Sequence, residues 1–154
     1  MFDFVAAEDV LPKVLTGYGL LPGVVRTSGT TRPWDQPGAV RNVHLADGTT
    51  ACEQVTAYER LRYFAYRTSE YTFAQRYLAN FAEGQWWFEN EGSGTQVRWT
   101  CTVHAKSWLT SVPLAQFFRT QWVGYMRTCI RHVQHQFTIQ DSASFVDQVA
   151  KASR

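Results

Sequence analysis

Arg41 and Glu53 are the charged residues whose types and spacing favour chemistry in an otherwise apolar region. Two segments of alternating hydrophobicity flank Ala46-Asp47-Gly48, and a type I turn with its glycine in the left-handed bulge position pairs Arg41 with Glu53. Hydrophobic consistency turns this pair inward, together with Val43 and Val55. Because a buried hydrogen-bonded ion pair is tolerated where a lone charge is not, we expect a polar anchor for a ligand carbonyl, hydroxyl or carboxylate.

Glu53 is also the best candidate for a catalytic residue. A glutamate that works as a general base must accept a proton, and an adjacent arginine favours the carboxylate form instead. This weakens an enzymatic interpretation. The alternative for both charged residues is a position at the pocket rim, where the pair only stabilises the sheet.

Aromatic residues are unusually abundant, at 15% of the chain with 6 Trp, 7 Tyr and 10 Phe. Large flat side chains fill cores, but they also line cavities for apolar ligands. Each one alone is more typical of a core, and their number opposite one helix favours a cavity. The predicted aromatic lining consists of Trp34, Phe64, Tyr66, Phe88, Trp99, Phe118, Trp122 and Tyr125.

Other kinds of site have little support. His132 and His135 are spaced to share a metal ion but lack a nearby third ligand, and three cysteines without a CxxC motif predict neither a zinc site nor a disulfide scaffold. No GxSxG, P-loop or dinucleotide fingerprint occurs, so we predict no cofactor. The net charge of +2, with scattered basic residues, does not indicate nucleic acid or an anionic membrane as a partner.

The chain of 154 residues is predicted to be one domain without a membrane span, because no apolar run approaches about 20 residues. Acidic residues near the start do not fit a signal peptide, and the cytoplasm is the simplest location. We place the domain at residues 1–137. Residues 138–154 form a polar tail, either a small extra helix or a frayed end.

The elements that must position these residues follow from hydrophobic periodicity and turn signals. Residues 2–5 are typical of a short strand, residues 8–21 of one or two short helices, and residues 24–106 of antiparallel strands, with a further strand at 70–78. A turn at Glu59-Arg60 would pair Val55 with Phe64 and Glu53 with Tyr66. In strand 61–68 a shift of one residue is the alternative, and it would turn two other side chains inward: Tyr63 and Ala65.

A last hairpin turns at Ser93-Gly94. This turn would pair Phe88 with Trp99 on the dry face and Glu89 with Arg98 on the wet face. After Ser111 the apolar period becomes helical and continues to about residue 135, with Pro113 in the first turn. The predicted inward stripe of this helix is Leu114, Phe118, Trp122, Tyr125, Cys129 and Val133. The fold class is α+β, a curved antiparallel sheet wrapped around one long C-terminal helix, with a cavity between them.

A series of short motifs occurs in a characteristic order and spacing along the chain: Pro33-Trp34, 37–43, Asp47-Gly48, Glu53-Gln54-Val55, Gly94-Thr95, Val97-Arg98-Trp99 and the terminal helix. In these residues the sequence resembles the START and polyketide-cyclase-like superfamily (SRPBCC), whose helix-grip fold is shared with birch-pollen allergens and plant abscisic-acid receptors. The resemblance covers residues 2–135. It implies an apolar internal pocket but no single activity, and in related hormone receptors a glutamate at the position resembling Glu53 lines the pocket.

Three functions are compatible with this pattern. The first is a binding protein for a hydrophobic small molecule. Its predicted ligand-binding residues are Arg41, Val43, Glu53, Val55, Phe64, Tyr66, Phe88, Trp99, Phe118, Trp122 and Tyr125. The second is an enzyme of the polyketide cyclase or aromatase kind, using Glu53, Tyr66 and Arg41. The third is a protein-interaction module with Trp87 and Trp108 in an exposed patch.

Overall fold

The computed structural model describes residues 1–72, 74–92 and 94–152, with side chains described as far as Phe137 except at Ala74. The helices are α1 (Phe2–Val5), α2 (Leu11–Val14), a 3-10 helix (Ala74–Tyr77), α3 (Trp108–Phe117), a π-helical turn (Phe118–Trp122) and α4 (Val123–Ala152). The strands are β1 (Gly17–Tyr18), β2 (Leu21–Pro22), β3 (Val24–Ser28), β4 (Val40–Leu45), β5 (Thr50–Glu59), β6 (Tyr63–Ser69), β7 (Ala79–Glu91) and β8 (Gly94–Ala105).

Strands β3 to β8 form one antiparallel sheet in sequence order, and β1 and β2 form a separate small hairpin. The helical C-terminal part runs from α3 through the π-helical turn into α4. Its apolar stripe packs against the sheet, with Leu114, Tyr125, Cys129 and Val133 buried. The predicted helix-grip architecture is confirmed. None of the described helices combines the length and apolar character that crossing a bilayer requires.

The predicted first strand is wrong, because residues 2–5 form helix α1. Phe2, Val5 and Ala6 are all buried, and their spacing of three and four residues is that of one helical face. The predicted strand at 70–78 is also wrong. Glu70 takes a positive φ of 52° directly after β6, and a 3-10 helix follows at Ala74–Tyr77.

The predicted β4–β5 register is confirmed: Arg41 lies opposite Glu53 and Val43 lies opposite Ala51. Gly48 has the positive φ, 83°, that the bulge position requires. The Leu45 N–H donates to the Thr49 carbonyl across the turn (2.9 Å). The turn residues therefore determined the strand pairing around the charged pair.

The predicted β5–β6 and β7–β8 pairings differ from the structure by two residues. Val55 lies opposite Tyr66 instead of Phe64, because Leu61 extends the turn with a φ of 69° and a bulge follows Val55. Trp99 lies opposite Trp86 instead of Phe88, and the two indole rings stack with 4.4 Å between their centroids. An even displacement leaves every side chain on its predicted face, so Phe64 still points inward.

The C-terminal helix begins earlier and ends later than predicted. Ser107 caps α3 through a capping box with Thr110, so the first turn starts at Trp108 and Pro113 lies inside the helix. The apolar residues of this first turn are exposed and do not belong to the buried stripe from which the helix was predicted, which explains the late prediction. Helix α4 continues to Ala152.

The two edges of the sheet differ. At β3 the Val24 N–H donates to the Leu15 carbonyl (2.7 Å), so the segment before β1 covers this edge. At β8, 12 residues long, no strand of the described part of the chain pairs with the outer side. The inward side chains of β8, from Val97 to Val103, are accordingly only half-buried.

Candidate functional site

Arg41 and Glu53 form a buried ion pair across β4 and β5. The side chains are only 1% and 3% exposed. Arg41 Nε donates to Glu53 Oε2 at 2.7 Å, and Nη2 lies 2.6 Å from the same oxygen. Within the described residues these contacts all reach Oε2, which leaves Oε1 as the carboxylate oxygen available to the space in front of the pair.

The rest of the Arg41 guanidinium is held by two further groups. Nη1 donates to the backbone carbonyl of Glu8, in the segment between α1 and α2. The indole of Trp34 lies under the guanidinium, with 3.8 Å between Cζ and the ring centroid. Three groups therefore hold the Arg41 guanidinium, and the Glu53 carboxylate balances its charge in the absence of a ligand.

An apolar cavity of about 100 Å³ lies between the inward face of the sheet, the π-helical turn with α4, and the N-terminal segment. Glu53 is the charged residue in its wall. The remaining wall is mostly aliphatic and aromatic. The lining residues are Leu11, Leu15, Leu21, Pro22, Val24, Val43, Leu45, Ala51, Glu53, Tyr66, Thr68, Tyr71, Gln75, Ala82, Trp99, Cys101, Trp122 and Tyr125.

A second hollow of about 30 Å³ lies on the other side of Glu53 and Tyr66. It is lined by Arg41 and Phe64 from the sheet and by Cys129 and Val133 from α4. Five residues border both spaces and separate the main cavity from the smaller one: Leu11, Leu15, Glu53, Tyr66 and Trp99.

Polar atoms also lie within the aromatic wall of the main cavity. The indole Nε1 atoms of Trp99 and Trp122 are buried and make no hydrogen bond of normal geometry within the described residues; the Tyr66 hydroxyl lies near the first and the Cys101 thiol near the second. Burial raises the pKa of Tyr66 well above its ordinary value, so this hydroxyl remains protonated. The Tyr125 hydroxyl is already used, since it donates to the Pro22 carbonyl at 3.2 Å. The wall thus contains two indole N–H donors without a well-formed hydrogen bond, beside a carboxylate that is paired with Arg41.

The predicted site residues divide into three groups. Six of them line the main cavity: Val43, Glu53, Tyr66, Trp99, Trp122 and Tyr125. Arg41 and Phe64 border the smaller hollow. Three predicted contacts are absent from both walls, because Val55 and Phe88 pack into the solid core beside Trp34 and Phe118 packs against Leu114.

Sequence reasoning missed the residues that close the cavity. Leu11, Leu15 and Leu21 come from the N-terminal segment, whose short helical pattern does not show which part of the sheet it covers. Tyr71 and Gln75 belong to the segment wrongly predicted as a strand. Tyr71 and Gln75 are four residues apart, a spacing that does not fit a strand with one inward face, and this was the signal that could have revealed them.

The other candidates for chemistry are engaged elsewhere. His44 shares a hydrogen bond with Ser28 (2.7 Å), and His104 stacks on Phe81 and contacts Glu83. His132 Nδ1 donates to the Val14 carbonyl (3.1 Å). In the described part of the chain, no group of three or more His, Cys, Asp or Glu side chains is arranged to hold a metal ion. Burial raises the pKa of the Cys101 and Cys129 thiols to about 12.

Comparison with solved structures shows the same fold in distant proteins. Major latex-like protein 151 from Panax ginseng gives a TM-score of 0.64 at 10% identity, covering 88% of this chain and 89% of that one. A protein from Bacillus thuringiensis gives 0.57 at 19% identity, covering 89% and 88%. A protein from Nitrosomonas europaea gives 0.57 at 10% identity, covering 89% and 86%.

No curated protein sequence matches this chain significantly. The model of a family described as polyketide cyclase / dehydrase and lipid transport matches residues 3–137, which include every element from the end of α1 to the first half of α4. Family and fold agree on a ligand-binding architecture of the SRPBCC type. By this match the chain belongs to the polyketide cyclase / dehydrase and lipid transport family.

Proposed function

We propose that this protein binds a small, uncharged, mostly apolar molecule in the main cavity. The observation that carries the proposal is the composition of the cavity wall: apolar side chains, a carboxylate already paired with Arg41, and two indole N–H groups without a well-formed hydrogen bond. Buried polar groups with poor partners are costly in an empty protein, and a ligand carbonyl or ether oxygen would be a better acceptor.

The volume of the cavity limits the size of this molecule. An engineered dry cavity of about 150 Å³ accepts benzene, and pockets for drug-sized ligands are typically about 300–1,000 Å³. At about 100 Å³, the cavity in this structure holds a short branched chain as it stands, and a single ring requires a small expansion of its wall. A larger ligand requires the N-terminal segment or the β1–β2 hairpin to move outward.

The charge of the ion pair sets the second limit. Arg41 and Glu53 together are neutral, and both are withdrawn from water. A charged ligand would enter an apolar space without a free counter-charge and would lose its hydration. A hydroxyl that donates to Glu53 Oε1 and a carbonyl that accepts from Trp99 or Trp122 are the polar groups that the wall can satisfy.

An enzymatic role for Glu53, of the polyketide cyclase or aromatase kind, has less support. Two nitrogens of Arg41 hold its carboxylate at one oxygen, Oε2, so only the other oxygen is left to contact a substrate. Positioning of a reactive chain would remain the main contribution of such a pocket. Binding is therefore the function that the geometry favours.

Binding of matched one-ring probes tests the proposal. We expect acetophenone and benzyl alcohol to bind and raise the melting temperature, and benzoate and benzylammonium to bind at least about tenfold more weakly, because burial of their charge is uncompensated. Ligand-observed NMR measures the dissociation constants. Equal binding of charged and neutral probes, or no binding of any probe, would contradict the proposal.

A tryptophan variant locates the site. Trp122→Phe removes one indole donor and should weaken acetophenone several-fold while leaving ethylbenzene, which has no acceptor, nearly unchanged. Trp108→Phe is the matched control, because Trp108 is 81% exposed and does not line the cavity. If both variants affect acetophenone equally, the bound molecule does not lie in this cavity.

A further inference from the structure

The small net charge of the chain conceals a marked separation of charge along it. Residues 1–105 contain nine basic and eleven acidic residues. Residues 106–140, which hold α3, the π-helical turn and the first half of α4, contain Lys106, Arg119, Arg127 and Arg131 and no Asp or Glu. Basic residues are scattered over the whole sequence, but in this helical part of the chain they are the only charged residues.

The basic residues of this element lie on its outer side. Arg119, Val123, Arg127 and Arg131 follow one another at spacings of four residues, which places them on one helical face, and all four are exposed. The opposite face, with Tyr125 and Cys129, is buried against the sheet. The arginines therefore face away from the core.

Large apolar side chains continue the same outer face. Trp108 and Val112 precede Arg119 at helical spacing and are 81% and 75% exposed, and Leu109 beside them is 66% exposed. We call Trp108, Val112, Arg119, Val123, Arg127 and Arg131 the outer stripe. A soluble helix normally places polar residues on this side, so exposed Trp, Leu and Val require a reason.

The tip of the β1–β2 hairpin adds to this surface. Leu20 is 82% exposed, and its N–H donates to Gln121 Oε1 at 3.1 Å. The ring of Tyr18 covers Gly124, where a Cβ atom would come within 2.1 Å of the ring. The hairpin is therefore held against the helix, and the neighbouring residues Leu21 and Pro22 line the main cavity.

We infer that the outer stripe, with Leu20 beside it, rests on the surface of an anionic lipid bilayer. Exposed Trp and aliphatic side chains insert at the level of the headgroups, while Arg and Lys without acidic neighbours attract anionic lipids. Phosphate groups of a nucleic acid would use the arginines but not the exposed Trp108, Leu109 and Val112. The lipid surface accounts for both halves of the pattern, and it does so whether or not the cavity holds a ligand.

Vesicle sedimentation with the full chain tests this inference. We expect binding to vesicles of phosphatidylcholine mixed with phosphatidylglycerol and little binding to phosphatidylcholine alone, with affinity falling as salt is raised. Arg119→Gln/Arg127→Gln should weaken this binding at least about tenfold, from a loss of about fivefold for each arginine. The matched control is Arg26→Gln, an exposed arginine on β3 that should bind like the wild type.

The apolar half of the surface needs its own variants. Trp108→Ala/Val112→Ala should weaken binding at least several-fold at constant charge, whereas Tyr77→Ala/Val25→Ala removes an exposed aromatic and an exposed valine elsewhere and should have no effect. All four side chains are exposed, so circular dichroism should show an unchanged fold. Equal binding to neutral vesicles, equal losses in both double variants, or binding to heparin without binding to vesicles would overturn the inference.

Discussion

At the scale of single residues, the buried pair of Arg41 and Glu53 is the feature on which the site depends. Two charges withdrawn from water gain little overall when paired, but each is strongly destabilising when its partner is removed. Trp34 and the Glu8 carbonyl complete the surroundings of the guanidinium. The pair therefore fixes the N-terminal segment to the sheet as well as presenting Glu53 to the cavity.

Removal of one partner should show this asymmetry. We expect Arg41→Met to lower the free energy of unfolding by about 3–5 kcal/mol, because it leaves the Glu53 carboxylate buried without its counter-charge. Arg41→Met/Glu53→Leu should recover part of that loss. Urea denaturation measures both variants.

The exposed pair of Arg67 and Glu83 provides the control for this prediction. Their side chains are 44% and 31% exposed, with 2.8 Å between Arg67 Nη2 and Glu83 Oε1. Arg67→Met should cost less than about 1 kcal/mol. A cost for Arg41→Met no larger than this would show that the buried pair contributes no more to stability than a surface ion pair.

At the scale of elements, the packing of β6 against β7 depends on a glycine, Gly84, that lies directly beneath the ring of Tyr66. Gly84 lies opposite Tyr66, and a Cβ atom at this position would come within 2.1 Å of the Tyr66 ring. Glycine weakens a strand interior, and here it allows the ring to lie directly on the backbone. The position of Tyr66 between the two hollows depends on this contact.

Gly84→Ala should therefore disturb the site through β7. We expect a loss of about 1–3 kcal/mol in the free energy of unfolding, because the Tyr66 ring must move into the cavity or the strands must separate. Gly94→Ala is the matched control on β8, where a Cβ would meet only the Glu91 carbonyl at 3.6 Å. Equal melting temperatures for the two variants would show that the ring has room to move.

Strand pairing could be predicted from the sequence only where the turn allows one geometry. Asp47-Gly48 specifies its turn, and the β4–β5 register around Arg41 and Glu53 is the predicted one. Gly92 and Gly94 both accept turn conformations, and the alternation of side chains does not distinguish registers that differ by two residues. The faces of Trp86 and Trp99 were thus predictable, but their stacking on each other was not.

At the scale of the whole molecule, the cavity is small because several distant segments close it. The fold and the presence of a hollow follow from one long helix covering a curved sheet. Its volume depends on Leu11, Leu15 and Leu21, whose positions follow from tertiary contacts and not from local periodicity. These residues could not be predicted from the patterns in the sequence.

Filling of the cavity should separate binding from stability. Ala82 lines the cavity, and we expect Ala82→Val to leave the free energy of unfolding unchanged or raise it by up to about 1 kcal/mol while weakening acetophenone binding. Ala39→Val is the control: Ala39 is 0% exposed and lies in the packed core with Trp34 and Val55, so overpacking should cost about 1–3 kcal/mol. Denaturation and NMR titration measure the two effects. Similar destabilisation by both variants would show that the cavity has no spare volume.

The unequal edges of the six-stranded sheet limit how copies of this protein could pair through their backbones. Growth of a fibre by strand addition needs two free edges on every molecule, one to receive the next copy and one to be received. Here helix α2 and the Leu15 carbonyl lie against the β3 edge, whereas nothing in the described part of the chain pairs with the outer side of β8. Joining two molecules at β8 uses the open edge of both, so this mode of polymerisation ends at the dimer.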